Sequence, residues 1–146
     1  MIGDIVTTRE DSELGHWTAS LWQPPHLAPW VERFWYSEGT TGAARERLLP
    51  NGLLEMAVCL GDPHRLVVGR GSETLRACLT GLQTSAVVIE HPDWHRVLGL
   101  RLRPAGAYAL LSQPMSAVSG YTVDLPDLLG SAARELTDRC HAAGTV

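Results

Sequence analysis

A chain of 146 residues has the size of one domain, and 45% hydrophobic residues supply enough apolar side chains for a real core. A charged fraction of 19% excludes wholesale disorder, and a net charge of -4 with twelve scattered arginines lacks the basic face of a nucleic-acid binder. Three cysteines without metal spacing, no basic-then-apolar leader and no apolar run of about 18 residues point to reduced thiols, a cytoplasmic location and no membrane partner.

In chain order, residues 1–16 are polar and acidic without a period, and read as a loose lead-in to a single domain over 17–146. Residues 17–23 alternate as a strand that Pro24-Pro25 ends, and 29–38 are aromatic and branched enough for a second. Gly39 to Ala44 is a loop of small residues, and Pro50-Asn51-Gly52 a turn. Leu53–Leu60, Arg65–Val68, Leu75–Thr80 and Ser85–Glu90 are short strand-like runs. Val87–His91 and Trp94–Arg103 flank Pro92-Asp93, which predicts a hairpin. In its second arm Leu98, Leu100 and Leu102 share one face, and Val97, Gly99, Arg101 and Arg103 the other. The chain then turns helical: Pro104 opens a helix that Pro114 stops. Asp124 and Asp127 mark another start, followed by a stripe of Leu125, Leu129, Ala132, Leu136 and Cys140, with Gly130 splitting it and Gly144 ending it. Strands followed by two or three helices predict an α+β domain on a mainly antiparallel β core.

No residue stands in a nucleophile motif, and Gly69-Arg70-Gly71-Ser72 lacks the lysine and spacing of a phosphate loop, so no enzyme activity is expected. His91 and His95 across a tight hairpin would lie roughly 5 Å apart, but a metal needs a third ligand and the scattered His16, His26, His64 and His141 offer none at a diagnostic spacing. Hence neither metal nor cofactor is expected. Glu55 reads as the polar position of a half-exposed strand, and Arg101 and Arg103 as a solvated strand face. Trp30, Phe34, Trp35 and Tyr36 are nearly contiguous. A strand this aromatic needs cover on both faces, by core, cavity or a second copy.

Five segments, Leu27–Trp35 (LAPWVERFW), Leu48–Gly52 (LLPNG), Leu79–Thr84 (LTGLQT), Leu98–Gly106 (LGLRLRPAG) and Leu125–Gly130 (LPDLLG), together resemble the N-terminal domain of a subgroup of AraC-type transcription regulators, in the family's order. Asn51 stands where that family often has aspartate, and both suit the turn. The resemblance implies a barrel- or cupin-like core that senses a small-molecule effector or pairs two copies. It also implies DNA contact only through two helix-turn-helix units of a further domain, expected beyond Val146 and absent from this chain. The candidate ligand-binding set is Trp22, Phe34, Trp35, Glu55, Gln83, Trp94 and Arg101. Two other readings compete: a small cupin-like metal enzyme resting on His91 and His95, and a ligand-free association module resting on the C-terminal stripe.

Overall fold

The computed structural model describes residues 3–144. In chain order its strands are β1 (Val6–Ser12), β2 (Gly15–Trp22), β3 (Val31–Thr41), β4 (Arg45–Leu48), β5 (Leu54–Cys59), β6 (His64–Val68), β7 (Gly71–Leu75), β8 (Ala77–Thr80), β9 (Val87–Glu90), β10 (His95–Leu102) and β11 (Thr122–Asp124). Its helices are α1 (Pro104–Leu111), α2 (Leu125–Leu129) and α3 (Ser131–Ala142), with short 3-10 turns at Pro25–Leu27 and Met115–Ala117. The strands form two antiparallel sheets: a seven-stranded one in the order β1-β2-β3-β10-β5-β8-β11, and a four-stranded one in the order β4-β9-β6-β7. The domain is therefore α+β, a mainly antiparallel β core with its α-helices towards the C-terminus, as its sequence predicts.

Alternation along the central strands decides what each sheet face does. On β5, Leu54, Met56 and Val58 are buried in the apolar core with Leu79 of β8, Leu102 of β10, Ala107 and Leu111 of α1, Leu125 of α2 and Ala133 of α3. That face is closed by the helices. The intervening β5 residues, Glu55, Ala57 and Cys59, look the other way, toward the small sheet, together with His95, Val97 and Arg101 of β10. The helix-covered face thus holds the packed core, and the space between the sheets is left for a cavity.

Several expectations fall here for physical reasons. The lead-in is not loose: β1 pairs with β2 from Val6↔Leu21 to Ser12↔Gly15. As an edge strand it is wet on both faces and carries no alternation. Residues 1 and 2 of that expected segment lie outside the described ones. β3 runs through Gly39, so the expected loop shrinks to the residues around Gly42. Among the described residues exposed β4 pairs only β9, and it lacks alternation for the same reason as β1. Val87–His91 and Trp94–Arg103 do not pair. β9 binds β4 and β6, whereas β10 binds β3 and β5, so Pro92-Asp93 carries the chain from one sheet to the other. In α3 Ala133 is buried and Ala132 exposed, because the Gly130 kink between α2 and α3 resets the helical phase.

Candidate functional site

Between the two sheets lies a half-open cavity of about 700 Å³, inside the range of ligand pockets. Its inner wall comes from β3, β5, β8 and β10 of the large sheet, and its outer wall from β4, β6 and β9 of the small one. Ala57, Leu66, Val87, Ile89 and Val97 make an apolar middle, with polar groups gathered at two ends.

At one end Arg101 Nε donates to Glu55 Oε2 at 2.9 Å. Antiparallel pairing of β5 and β10 sets these residues directly opposite. Burial pushes the Glu55 carboxyl up, against the opposing pull of the Arg101 guanidinium. Trp35 reaches over Gly99, where glycine alone leaves room: a Cβ there would stand 1.9 Å from Trp35 Cε2. The indole draws near Glu55 and helps hold its carboxyl down, although among the described residues its buried Nε1 makes no close hydrogen bond. Gln83 lines the same end and donates its amide to the Gly81 carbonyl at 3.0 Å. Just outside, Arg33 holds the Glu32 carboxyl below its usual range through two short hydrogen bonds.

At the other end three histidines meet from three places in the chain. β6 and β9 pair at Arg65↔Glu90, and one step further out His64 faces His91. His95 begins β10 beside them, with ring centroids 5.9 Å from His91 and 6.2 Å from His64. The Glu46 carboxylate accepts from His91 Nε2 at 2.9 Å. His91 Nδ1 is then free to accept from His64 Nε2 at 3.1 Å, leaving His64 Nδ1 facing Cys59 Sγ at 3.4 Å. The Cys59 thiol donates to the Leu75 carbonyl at 3.2 Å. Burial, with His91 and His95 adding to it, pushes the His64 ring down to about 4, and burial lowers His95 as well. The hydrogen bond from His91 lowers Glu46. Burial pushes the Cys59 thiol up and the neighbouring Cys78 thiol up to about 12, so neither is an activated nucleophile. His95 Nε2 lies 2.8 Å from Ser37 Oγ, and among the described residues its buried Nδ1 has no partner.

This arrangement is a chain of hydrogen bonds in which the nitrogens of His64 and His91 face one another or their neighbours. Among the described residues no three such side chains stand where they hold one metal ion.

Of the seven candidate ligand-binding residues, Trp35, Glu55, Gln83 and Arg101 line the cavity. Trp22 and Phe34 do not: their rings meet at 5.2 Å, and Phe34 packs against the apolar core. Trp94 sits in the crossover between the sheets and is 51% exposed. The solvated reading of Glu55 and Arg101 is corrected, since both face the cavity, whereas Arg103 donates to the Ala28 carbonyl at 2.9 Å outside it. His64, Cys59, Glu46 and Ser37 were not in the set. Only the pairing of β6 with β9 brings His64 to His91, and no local spacing announces it.

The profile of the family described as "Domain of unknown function (DUF6597)" matches residues 23–124. No curated protein matches the sequence. Solved structures match, among them the Momordica charantia 7S globulin, at 13% identity and a TM-score of 0.39. That match covers 77% of this chain and 43% of the globulin's, so the chain spans less than half of that protein's length. Among the described residues no helix is long and apolar enough to cross a membrane.

Proposed function

We propose that this chain, which belongs to the DUF6597 family, is a small-molecule-binding domain that serves as the effector-sensing N-terminal part of an AraC-type transcription regulator in the cytoplasm. The observation that carries the binding role is the cavity of about 700 Å³ between the sheets, with an apolar middle and polar groups at both ends. The regulatory role is supported by the five segments that resemble AraC-type sensor domains. On this reading the domain is not an enzyme, and a bound effector shifts the equilibrium between two arrangements that a DNA-binding domain elsewhere in the regulator feels. Pairing of two copies is the expected assembly.

The test is a thermal-shift screen of uncharged, anionic and cationic compounds of drug size, followed by calorimetric titration of any that raise the melting temperature. A compound bound at 100 times its Kd stabilises the fold by about 2.7 kcal/mol. Saturable binding that changes the tryptophan fluorescence supports the reading, since Trp17 and Trp35 both line the cavity. A screen without a single stabilising compound sinks it.

A further inference from the structure

We propose that the cavity takes an amphipathic anion, an apolar body whose carboxylate docks on the free edge of the Arg101 guanidinium, with Arg47 adding its charge at the mouth. This rests on the binding role proposed above and names the class of ligand.

The charges on the wall do not cancel. Three arginines, Arg45, Arg47 and Arg101, share the lining with two acids, Glu46 and Glu55. Each acid is already answered, Glu46 by His91 and Glu55 by Arg101 Nε, both at 2.9 Å. Arg45 is spent on Glu90 at 2.7 Å. Arg47 stands on the exposed edge strand β4, and among the described residues no carboxylate pairs with it.

Arg101 is only half used. Arg33, opposite it in the β3–β10 register, closes on Glu32 with both Nε and Nη2. Arg101 gives Glu55 its Nε alone. Among the described residues its two terminal nitrogens meet no acceptor, and its side chain keeps 35% of its surface exposed. The edge between those nitrogens presents two parallel N–H groups, a fork that fits both oxygens of a carboxylate. A cation finds no such place, because Glu46 and Glu55 are both held. Since the cavity is half open, a bound anion keeps part of its hydration, and the full cost of burying a charge does not arise.

The body of the ligand follows from what lies beside the head. Ala57 shares a face of β5 with Glu55, two residues and about 7 Å further along the cavity. On the facing sheet Leu66 pairs with Ile89. These side chains offer no hydrogen bond, so the ligand is apolar beyond its head.

Three probes with one naphthalene body test this on the whole chain at neutral pH: 2-naphthoate, 2-naphthylmethanol and 2-naphthylmethylammonium. Calorimetric titration should place naphthoate about tenfold tighter than the alcohol, with the ammonium weakest. Added salt should weaken naphthoate and leave the alcohol unchanged. Arg101→Gln together with Glu55→Gln removes the fork without stranding a carboxylate, and should bring naphthoate down to the alcohol's affinity. Arg47→Gln, on an exposed strand, should weaken naphthoate about threefold. If the double variant does not fold, Arg101→Lys takes its place: it keeps the charge opposite Glu55, loses the fork and should weaken naphthoate about fivefold.

Naphthoate binding no tighter than the alcohol overturns the anion while leaving the cavity a binding site, and so does an ammonium that binds tightest. A preference for naphthoate that survives substitution of Arg101 overturns the docking on its guanidinium. Failure of all three probes overturns the class, and together with an empty thermal-shift screen it overturns the binding role itself.

Discussion

A Cβ on Gly99 would stand 1.9 Å from Trp35 Cε2 and 2.3 Å from Nε1, so alanine there must displace the indole that roofs this part of the strand. The flexible end of a side chain can move, but Trp35 is large and its ring lies across β10 toward Glu55 of β5. Gly99→Ala is expected to cost about 1–3 kcal/mol as overpacking, read as a lowered urea midpoint at unchanged m-value. His64 gives a second prediction at this scale. Burial, with His91 and His95 beside it, pushes its ring down to about 4, from an ordinary imidazole value of about 6.5. At a pH between these values the unfolded chain takes up a proton here and the native chain does not. The stability is therefore fully present above the unfolded pKa and is lost as pH falls toward the folded one. With partial solvent screening His64 withdraws about 2–3 kcal/mol over that window. Lowered His95 and Glu46 act in the same direction. Urea unfolding at neutral pH and near the lower end of the window, on the chain and on His64→Asn, measures it. An equal loss in both proteins would refute the assignment to His64.

Period alone locates β5 and β10 in the sequence, because their residues alternate between a packed face and an open one. What period cannot supply is the identity of the open side. Glu55 and Arg101 read separately as solvated strand positions, and only the β5–β10 register sets them opposite each other across the cavity wall. β1 and β4 escape notice because edge strands exposed on both faces need no alternation. Pro92-Asp93 has the residues of a tight turn, yet the strands beside it belong to different sheets, and pairing partners leave no local mark. Of the candidate aromatics Trp35 lines the cavity, while Trp22 and Phe34 lie on the opposite face of β2 and β3. The helix stripe fails at one residue: Gly130 adopts φ 56 and ψ -129 between α2 and α3, and Ala133 takes the buried place expected of Ala132. A Cβ at Gly130 meets nothing within 4 Å, so any cost of substitution is backbone strain alone. Gly130→Ala is expected to destabilise by about 1–3 kcal/mol, and thermal unfolding reads it. A neutral result would mean that α2 and α3 tolerate another junction.

At the scale of the whole molecule, packing and binding are assigned to opposite faces of one sheet. Leu54 and Leu79 are fully buried beneath the helices, on the far side of β5 and β8 from the cavity. Stability and ligand affinity should therefore separate under mutation. Leu79→Ala removes a core side chain and is expected to cost about 2–5 kcal/mol, with probe affinity of the folded fraction unchanged. Ala57→Leu does the reverse. Ala57 lies opposite Gly99 in the register and lines the cavity, so a leucine there projects into open space rather than into packed atoms. Each methylene newly removed from water contributes about 0.8 kcal/mol, so the variant should be as stable as the original chain or up to about 2 kcal/mol more so. The same carbons occupy the apolar middle where a ligand would lie, and binding of a fluorescent apolar probe such as ANS should be lost. Denaturation and fluorescence titration on the two variants give a crossed result if the division holds. If Ala57→Leu unfolds the domain, or if Leu79→Ala weakens the probe as much as it weakens the fold, the two faces are one energetic unit and the cavity is not an independent binding site.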